Sequence, residues 1–345
     1  MGKIKKGSLI GGRYEVLEVL GGKGKSGMGD VFVCLDGERD EKVVLKSFQE
    51  KFLTSKFVIN SFKHEALAWI VLDHHPHIVR AKYVIKLDEK PYLALEYIPP
   101  NEEGKNTLEH YFEDELNLKQ VLTWGIQLCR AMEYAVSKGV ISHLDIKPSN
   151  IMIDQEGILQ LCDFGLARIV NQKEVKPDEE DVEDWNVIVD KYRPDLTYIG
   201  VFEGKVFTGS EQWMAPERFQ GQGDIRSDVF SFGVVMYQAV NEGDFPFSKL
   251  SVKPYVLSTK NQGEIIINEF YPVIEKCIQT KPEDRYRDFS EIRSELEDLY
   301  NRHYGELPES LTAKKKLEAF EFENKGISFL TLGLTDMAIR ELWRA

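Results

Sequence analysis

The chain has 345 residues and a formal charge of −13, from 44 Lys+Arg against 57 Asp+Glu. That length favours more than one core, since single cores stop growing at about 250–300 residues, and the acidic balance argues against nucleic-acid or anionic-membrane binding through the summed field. No run reaches the roughly 18–20 apolar residues of a spanning helix, the start (Lys3, Lys5, Lys6) leads into no apolar signal core, and Cys34, Cys129, Cys162 and Cys277 lack CxxC spacing, so a reducing cytoplasm is expected.

After an N-terminal extension (1–12), residues 13–98 are strand-rich. Tyr14 to Leu20 alternates, and Val31-Phe32-Val33, Val43-Val44-Leu45 and Tyr92 to Leu95 follow between turn residues. One helix is predicted at about 57–72, from Phe62, Leu67, Trp69, Ile70 and Leu72. Before Val31 runs Gly24-Lys25-Ser26-Gly27-Met28-Gly29-Asp30, a glycine loop whose backbone amides can approach a phosphate closely. From Leu108 onward the chain turns helical, at about 118–138, 226–241, 270–279 and 289–301.

Between the first two of these helices lie Ile141-Ser142-His143-Leu144-Asp145-Ile146-Lys147-Pro148-Ser149-Asn150 and Leu161-Cys162-Asp163-Phe164-Gly165. Two carboxylates, a lysine and a carboxamide fall within twenty residues, between apolar runs (Ile151-Met152-Ile153, Ile158-Leu159) short enough to be buried strands. Beyond them, Glu174 to Asp184 holds seven acidic residues and one lysine, a composition that is usually solvated. Trp185, Val187, Ile188, Val189 and Tyr192 are apolar enough to dock, and the whole insertion runs over about 171–205.

These patterns resemble those of the Hanks-type serine/threonine protein kinases, H-R-D-x-x-x-x-N and D-F-G, with Leu144 where the family usually has arginine. The resemblance implies an α+β, bilobal protein kinase fold: a small antiparallel β lobe with one main helix over 13–98, and a larger helical lobe over 99–303. It implies transfer of the γ-phosphate of ATP to Ser/Thr hydroxyls of protein substrates, with Mg2+, or Mn2+ in its place, as the metal. Such chemistry needs positioning and cations more than covalent work. Asp145 would be the catalytic carboxylate, Lys147 would steady the γ-phosphate, and Asn150 and Asp163 would hold the metal.

Val43-Val44-Leu45-Lys46 resembles the V-A-I-K strand, placing Lys46 on the α- and β-phosphates with Glu65 as its ion-pair partner. The glycine loop fits at Gly24, Gly29 and Val31, with Ser26 in place of the middle glycine. By the same resemblance Leu95 is the gatekeeper, Glu96-Tyr97-Ile98 the linker that bonds the adenine, and Val31, Val44 and Cys162 walls of that pocket. Phe164 and Gly165 complete the metal loop. Met214-Ala215-Pro216-Glu217 matches A-P-E, with Arg285 as the partner of Glu217, Asp228 as an anchor for the catalytic loop, and Ser210 as the hydroxyl that bridges to Asp145 and Lys147.

Leucine at 144 has no donor for a phosphate, so activation is expected not to use an arginine–phosphate pairing, leaving control to the insertion; Thr197, Tyr198 and Thr208 are candidate phosphosites. His74, His75 and His77 are too close-set to favour a zinc site. Residues 304–345 end in two short amphipathic helices around Gly333. There Gly326, Phe329, Gly333, Ala338, Leu342 and Ala345 resemble the start of a tetratricopeptide repeat, which implies protein partners and a longer native chain. Two alternatives stay open: a lone helical hairpin on the larger lobe, and a catalytically inactive nucleotide-binding scaffold.

Overall fold

A computed structural model describes residues 4–20, 29–114, 116–164, 167–169, 201–202, 205–206, 211–246, 265–307 and 319–344. Gly24, Ser26, Gly165, Ser210, Thr197, Tyr198, Thr208 and most of the 171–205 segment lie outside the described residues.

Six strands form the small lobe: β1 (Leu9–Ile10), β2 (Tyr14–Val19), β3 (Gly29–Asp36), β4 (Glu41–Phe48), β5 (Ala81–Leu87) and β6 (Lys90–Glu96). They pair antiparallel in the order β1-β2-β3-β4-β6-β5. Strand periodicity sets the two faces of β4. Val43 and Leu45 are fully buried against Tyr14, Val16, Phe32 and Ala94, whereas Val44 and Lys46 alternate onto the opposite face. Across that face Val44 is opposite Leu95 and Lys46 is opposite Val31, so strand register alone groups these four residues.

Helix α1 (Lys56–Val71) starts at Ser55, whose hydroxyl accepts the Val58 amide, and ends before Asp73, which lies at φ 51°. Strand β5 was not predicted. Lys82 and Lys86 interrupt its alternation, and its turn to β6 uses Asp88 and Glu89 at φ 46° and 65° instead of the usual Asn or Gly.

A buried polar cluster holds the start of β2 to the end of β3. Arg13 donates to both Asp36 oxygens at 2.7 and 2.6 Å, and the Tyr83 hydroxyl adds a third bond at 3.3 Å. Burial pushes the Asp36 carboxyl up, but the bonds from Arg13 and the Glu38 amide more than offset this and hold it below its usual range. A depressed folded-state pKa adds stability above the unfolded value of about 3.9, which is lost as pH falls through the folded one. Asp36→Asn is therefore expected to lower stability by about 2–3 kcal/mol at pH 7. Thermal melts should show this gap shrinking below about pH 4; a gap independent of pH would refute the assignment.

The larger lobe is built on α2 (Leu118–Ser137), capped by Asn117 and packed against α5 (Phe289–Tyr304) and α3 (Ile225–Val240), with α4 (Ile265–Cys277) against α3. Short strands β7 (Val140–Ser142), β8 (Ile151–Ile153) and β9 (Leu159–Leu161) lie against it, and β8 and β9 are the buried apolar runs flanking the polar loops. Beyond the loops come β10 (Arg168–Ile169), paired with β7, and the β11–β12 hairpin (Val201–Phe202, Lys205–Val206).

The chain closes with a helical hairpin, α6 (Ala319–Thr331) and α7 (Thr335–Leu342). A Cβ at Gly326 would sit 2.5 Å from Leu342 Cγ, so only glycine permits this helix approach. Among the described residues the hairpin's main contacts, made by α6, are with β5 and α1 of the small lobe, and Phe329, Leu332 and Ala338 are buried.

Candidate active site

The loop between β7 and β8 is fixed from below by α3. Asp228, fully buried in that helix's first turn, accepts the amides of His143 and Leu144, each at 2.7 Å. Burial pushes its carboxyl up to about 7, while the two amide donors favour the charged form. Leu144 is thereby held at φ 64°, a conformation that costs leucine roughly 1–2 kcal/mol. Arg218 adds a bond of 2.9 Å to the Leu144 carbonyl. Strain fixed from both sides of one residue is a feature of functional loops.

That constraint delivers three polar side chains to one point. Lys147 Nζ lies 2.8 Å from Asp145 Oδ2, and Asn150 Nδ2 donates to the same oxygen at 2.8 Å and to the Asp145 carbonyl at 2.9 Å. Both bonds fall on Oδ2, so Oδ1 keeps its accepting capacity. The NH₂ of Asn150 is thus committed to Asp145, which leaves its Oδ1 outside these bonds.

The second loop is tied to the first by the Cys162 amide, which donates to the Asn150 carbonyl at 2.9 Å. His143 joins them too. Its Nδ1 accepts the Asp145 amide at 3.2 Å, so the proton belongs on Nε2, 3.1 Å from the Cys162 carbonyl. Burial lowers the His143 pKa and keeps this imidazole neutral. Phe164 is fully buried edge-on between His143 and Trp69 of α1, with ring centroids 4.6 and 5.1 Å away. Both loops and α1 thus share one aromatic stack.

Asp163, at φ 63°, accepts Lys46 Nζ at 2.6 Å, and the same ammonium lies 2.6 Å from Glu65 Oε1. Burial alone would lower the Lys46 pKa, but the carboxylates of Asp163 and Glu65 raise it, so the lysine stays charged. In turn Lys46 overcomes the burial of Asp163 and holds that carboxyl well below its usual range. The pair links β4 to α1, and hence helix position to the cleft.

Leu95 and Ile98 are buried at the back of the cleft, and Glu96 is half-buried. The Ile98 carbonyl already accepts Asn106 Nδ2 at 3.0 Å, and the Glu96 amide donates to Arg80. The Cys162 thiol is pushed up to about 12 by burial. Farther off, Arg285 meets Glu217 through two parallel bonds of 2.8 and 2.9 Å. Among the described residues no cluster of three His, Cys, Asp or Glu could hold a metal. His75 instead stacks on Tyr134 at 4.5 Å, and His77 bonds the Leu159 carbonyl.

Two contacts were missed from sequence. Trp69 was read only as an apolar helix position, and Arg218 had no motif to mark it. Its partner Leu144 is 74 residues away.

An antiparallel sheet with one helix, set over a helical lobe with an Asp–Lys–Asn cluster in the cleft, defines the bilobal kinase fold. The protein kinase domain family matches residues 14–304, and the chain belongs to it. A probable serine/threonine-protein kinase of Clostridium perfringens is 27% identical over 303 residues, covering 85% of this chain and 39% of the relative. PknD of Protochlamydia amoebophila is 27% identical, covering 96% and 34%, and PknB of Mycobacterium tuberculosis is 28% identical, covering 88% and 46%. This chain therefore spans less than half the length of these curated relatives. The crystal structure of the M. tuberculosis PknI kinase domain shares the fold with a TM-score of 0.58 at 19% identity, covering 86% of this chain and 100% of that one.

Proposed function

We propose that this chain is an ATP-dependent protein kinase that phosphorylates Ser/Thr hydroxyls of protein substrates. The observation that carries this reading is the cluster of Asp145, Lys147 and Asn150, bonded through Cys162 to the loop whose Asp163 meets Lys46. Lys46, oriented by Glu65, binds the α- and β-phosphates. Asp145 Oδ1 accepts the proton of the acceptor hydroxyl, and Lys147 offsets charge on the phosphoryl group in flight. Val31, Val44, Leu95 and Cys162 enclose the adenine, with Glu96 and Ile98 offering backbone groups.

Asn150 Oδ1 and the Asp163 carboxylate are hard oxygen donors, and magnesium is typically held by one or two such groups together with substrate phosphates. The donor set fits that ion, which would neutralise the phosphate charge when bound. Supporting parts follow from the same reading: Phe164 shapes the metal loop, Asp228 anchors the catalytic loop, and Glu217 and Arg285 hold the acceptor groove. The relatives named as serine/threonine kinases favour these acceptors over tyrosine.

The terminal hairpin, with its close contact at Gly326 and exposed Leu330, Ile339 and Trp343, supports recruitment of protein partners by repeat-type helices. No helix among the described residues is long and apolar enough to cross a membrane.

The test is phosphate transfer from γ-labelled ATP to a generic acidic and a generic basic protein, followed by phosphoamino-acid analysis, with Asp163→Asn beside wild type. Label on Ser and Thr, dependent on magnesium and reduced about 100-fold or more in the variant, is expected. Transfer absent from wild type, or equal in both, would overturn the reading.

A further inference from the structure

The edge strand of a sheet presents unpaired amides, and proteins cover such edges or blunt them. In this chain β5 is that edge, and α6 covers it. The Val84 amide donates to Ser328 Oγ at 2.8 Å, and the hydroxyl passes its own proton to the Asn324 carbonyl at 2.6 Å. Ser328 is fully buried, so this bond replaces water at the edge. Before it along α6 stand two ion pairs, Arg80 with Glu321 and Lys325 with Asp73.

Their positions matter more than their number. Asp73 is the second residue past the end of α1, and its carboxylate also receives Lys138 of the larger lobe at 3.1 Å. Arg80 immediately precedes the strand and takes the Glu96 amide on its carbonyl, at the linker between lobes. Phe329, Leu332 and Ala338 of the hairpin belong to the same buried cluster as Trp69 and Phe164. From hairpin to site the path is continuous: α6 to Asp73, Asp73 to α1, and α1 to Lys46 through Glu65 and to Phe164 through Trp69.

We propose that the α6–α7 hairpin is a clamp that holds α1 in the position where Glu65 meets Lys46, so that docking of the hairpin sets nucleotide affinity. The inference rests on the kinase reading for its catalytic consequence and on geometry alone for its structural one. A hairpin docked only to hide apolar surface would need neither two ion pairs to the α1–β5 connection nor a buried hydroxyl aimed at one strand amide. Because both ion pairs act on the ends of the α1–β5 connection, undocking frees the segment that fixes the C-terminal end of α1. The coupling is reciprocal. Nucleotide bound at Lys46 should tighten the hairpin on β5.

The charge swap supplies the test, in the full chain. Glu321→Arg sets two cations against each other, and Arg80→Glu with Glu321→Arg restores an opposite-sign pair. Hydrogen exchange at β5, α6 and α1 is read with and without ATP, beside the KM for ATP. Expected in Glu321→Arg is exchange at least about tenfold faster in all three elements and a KM raised about fivefold or more with kcat changed less. The double variant should recover most of both. Ser328→Ala, a milder change with no new charge, should move them in the same direction.

Faster exchange in α6 and β5 with α1 and KM unchanged would overturn the clamp, leaving the hairpin as cover only. So would unchanged exchange everywhere, or a double variant no better than the single. A wild type that transfers no phosphate defeats the kinase reading instead. The exchange of α1 then still decides whether the hairpin holds it.

Discussion

Asp145→Asn is expected to lower phosphate transfer by about 10²–10⁴-fold, the range a positioned general base supplies, while leaving the melting temperature and ATP binding close to wild type. The substitution is nearly isosteric. An amide oxygen at the Oδ2 position still accepts from Lys147 and Asn150, which approach it at 2.8 Å each, so the loop keeps its shape. What the variant loses is basicity at the other position, where an NH₂ would face the acceptor hydroxyl. The loss should therefore fall on kcat rather than on the KM for ATP, as for an interaction made in the transition state. Equal rates would remove Asp145 from the chemistry. A large loss accompanied by a drop in melting temperature would assign it a structural role instead.

Asp145, Lys147 and Asn150 could be grouped from sequence because they are local: the six residues from Asp145 to Asn150 cannot lie far apart, and a resemblance supplied their roles. Lys46, Glu65 and Asp163 needed more, since each stands on a different element and only strand register and helix phase bring them within 2.6 Å. The two faces of β4 follow from alternation, yet nothing in Val43-Val44-Leu45-Lys46 says which face is the cleft until β6 is paired beside it. β5 escaped because its turn breaks the usual chemistry, with acidic residues at both left-handed positions.

The hairpin's attachment could not be read at all. Glu321, Lys325 and Ser328 occupy positions that on an isolated amphipathic helix are ordinary polar ones. Their partners Arg80, Asp73 and Val84 lie more than 240 residues earlier. Tertiary contacts between one charged side chain and another leave no period in a sequence. Leu144 is a related case. Leucine there was legible as a departure, but its left-handed backbone, and Arg218 bonding its carbonyl, are consequences of Asp228 capturing two successive amides.

Arg285→Leu should be among the most destabilising single changes outside the apolar core, costing about 3–5 kcal/mol, which at this size means a melting temperature lower by roughly 6–12 °C. The arginine side chain is fully buried and its donors are fully used. Nε bonds the Gln279 carbonyl at 2.6 Å, Nη1 bonds Glu217 and the Arg226 carbonyl, and Nη2 bonds Glu217 and the Thr280 carbonyl. Five N–H groups meet five acceptors. Removing them takes a donor from three carbonyls and leaves the Glu217 carboxylate without its cation, the Ser227 hydroxyl still donating to it at 2.7 Å.

Most of that cost is the abandoned charge, so Glu217→Leu combined with Arg285→Leu should be less destabilising than the sum of the two singles. The coupling also predicts a functional effect. Glu217 closes the segment that follows Ala215 and Pro216, and it shares Ser227 with the helix start that carries Asp228. Loosening it should raise the KM for a protein acceptor more than the KM for ATP. Denaturant titration and paired kinetics check both halves: strictly additive stabilities, or equal shifts in the two KM values, would show that the pair acts only as general packing.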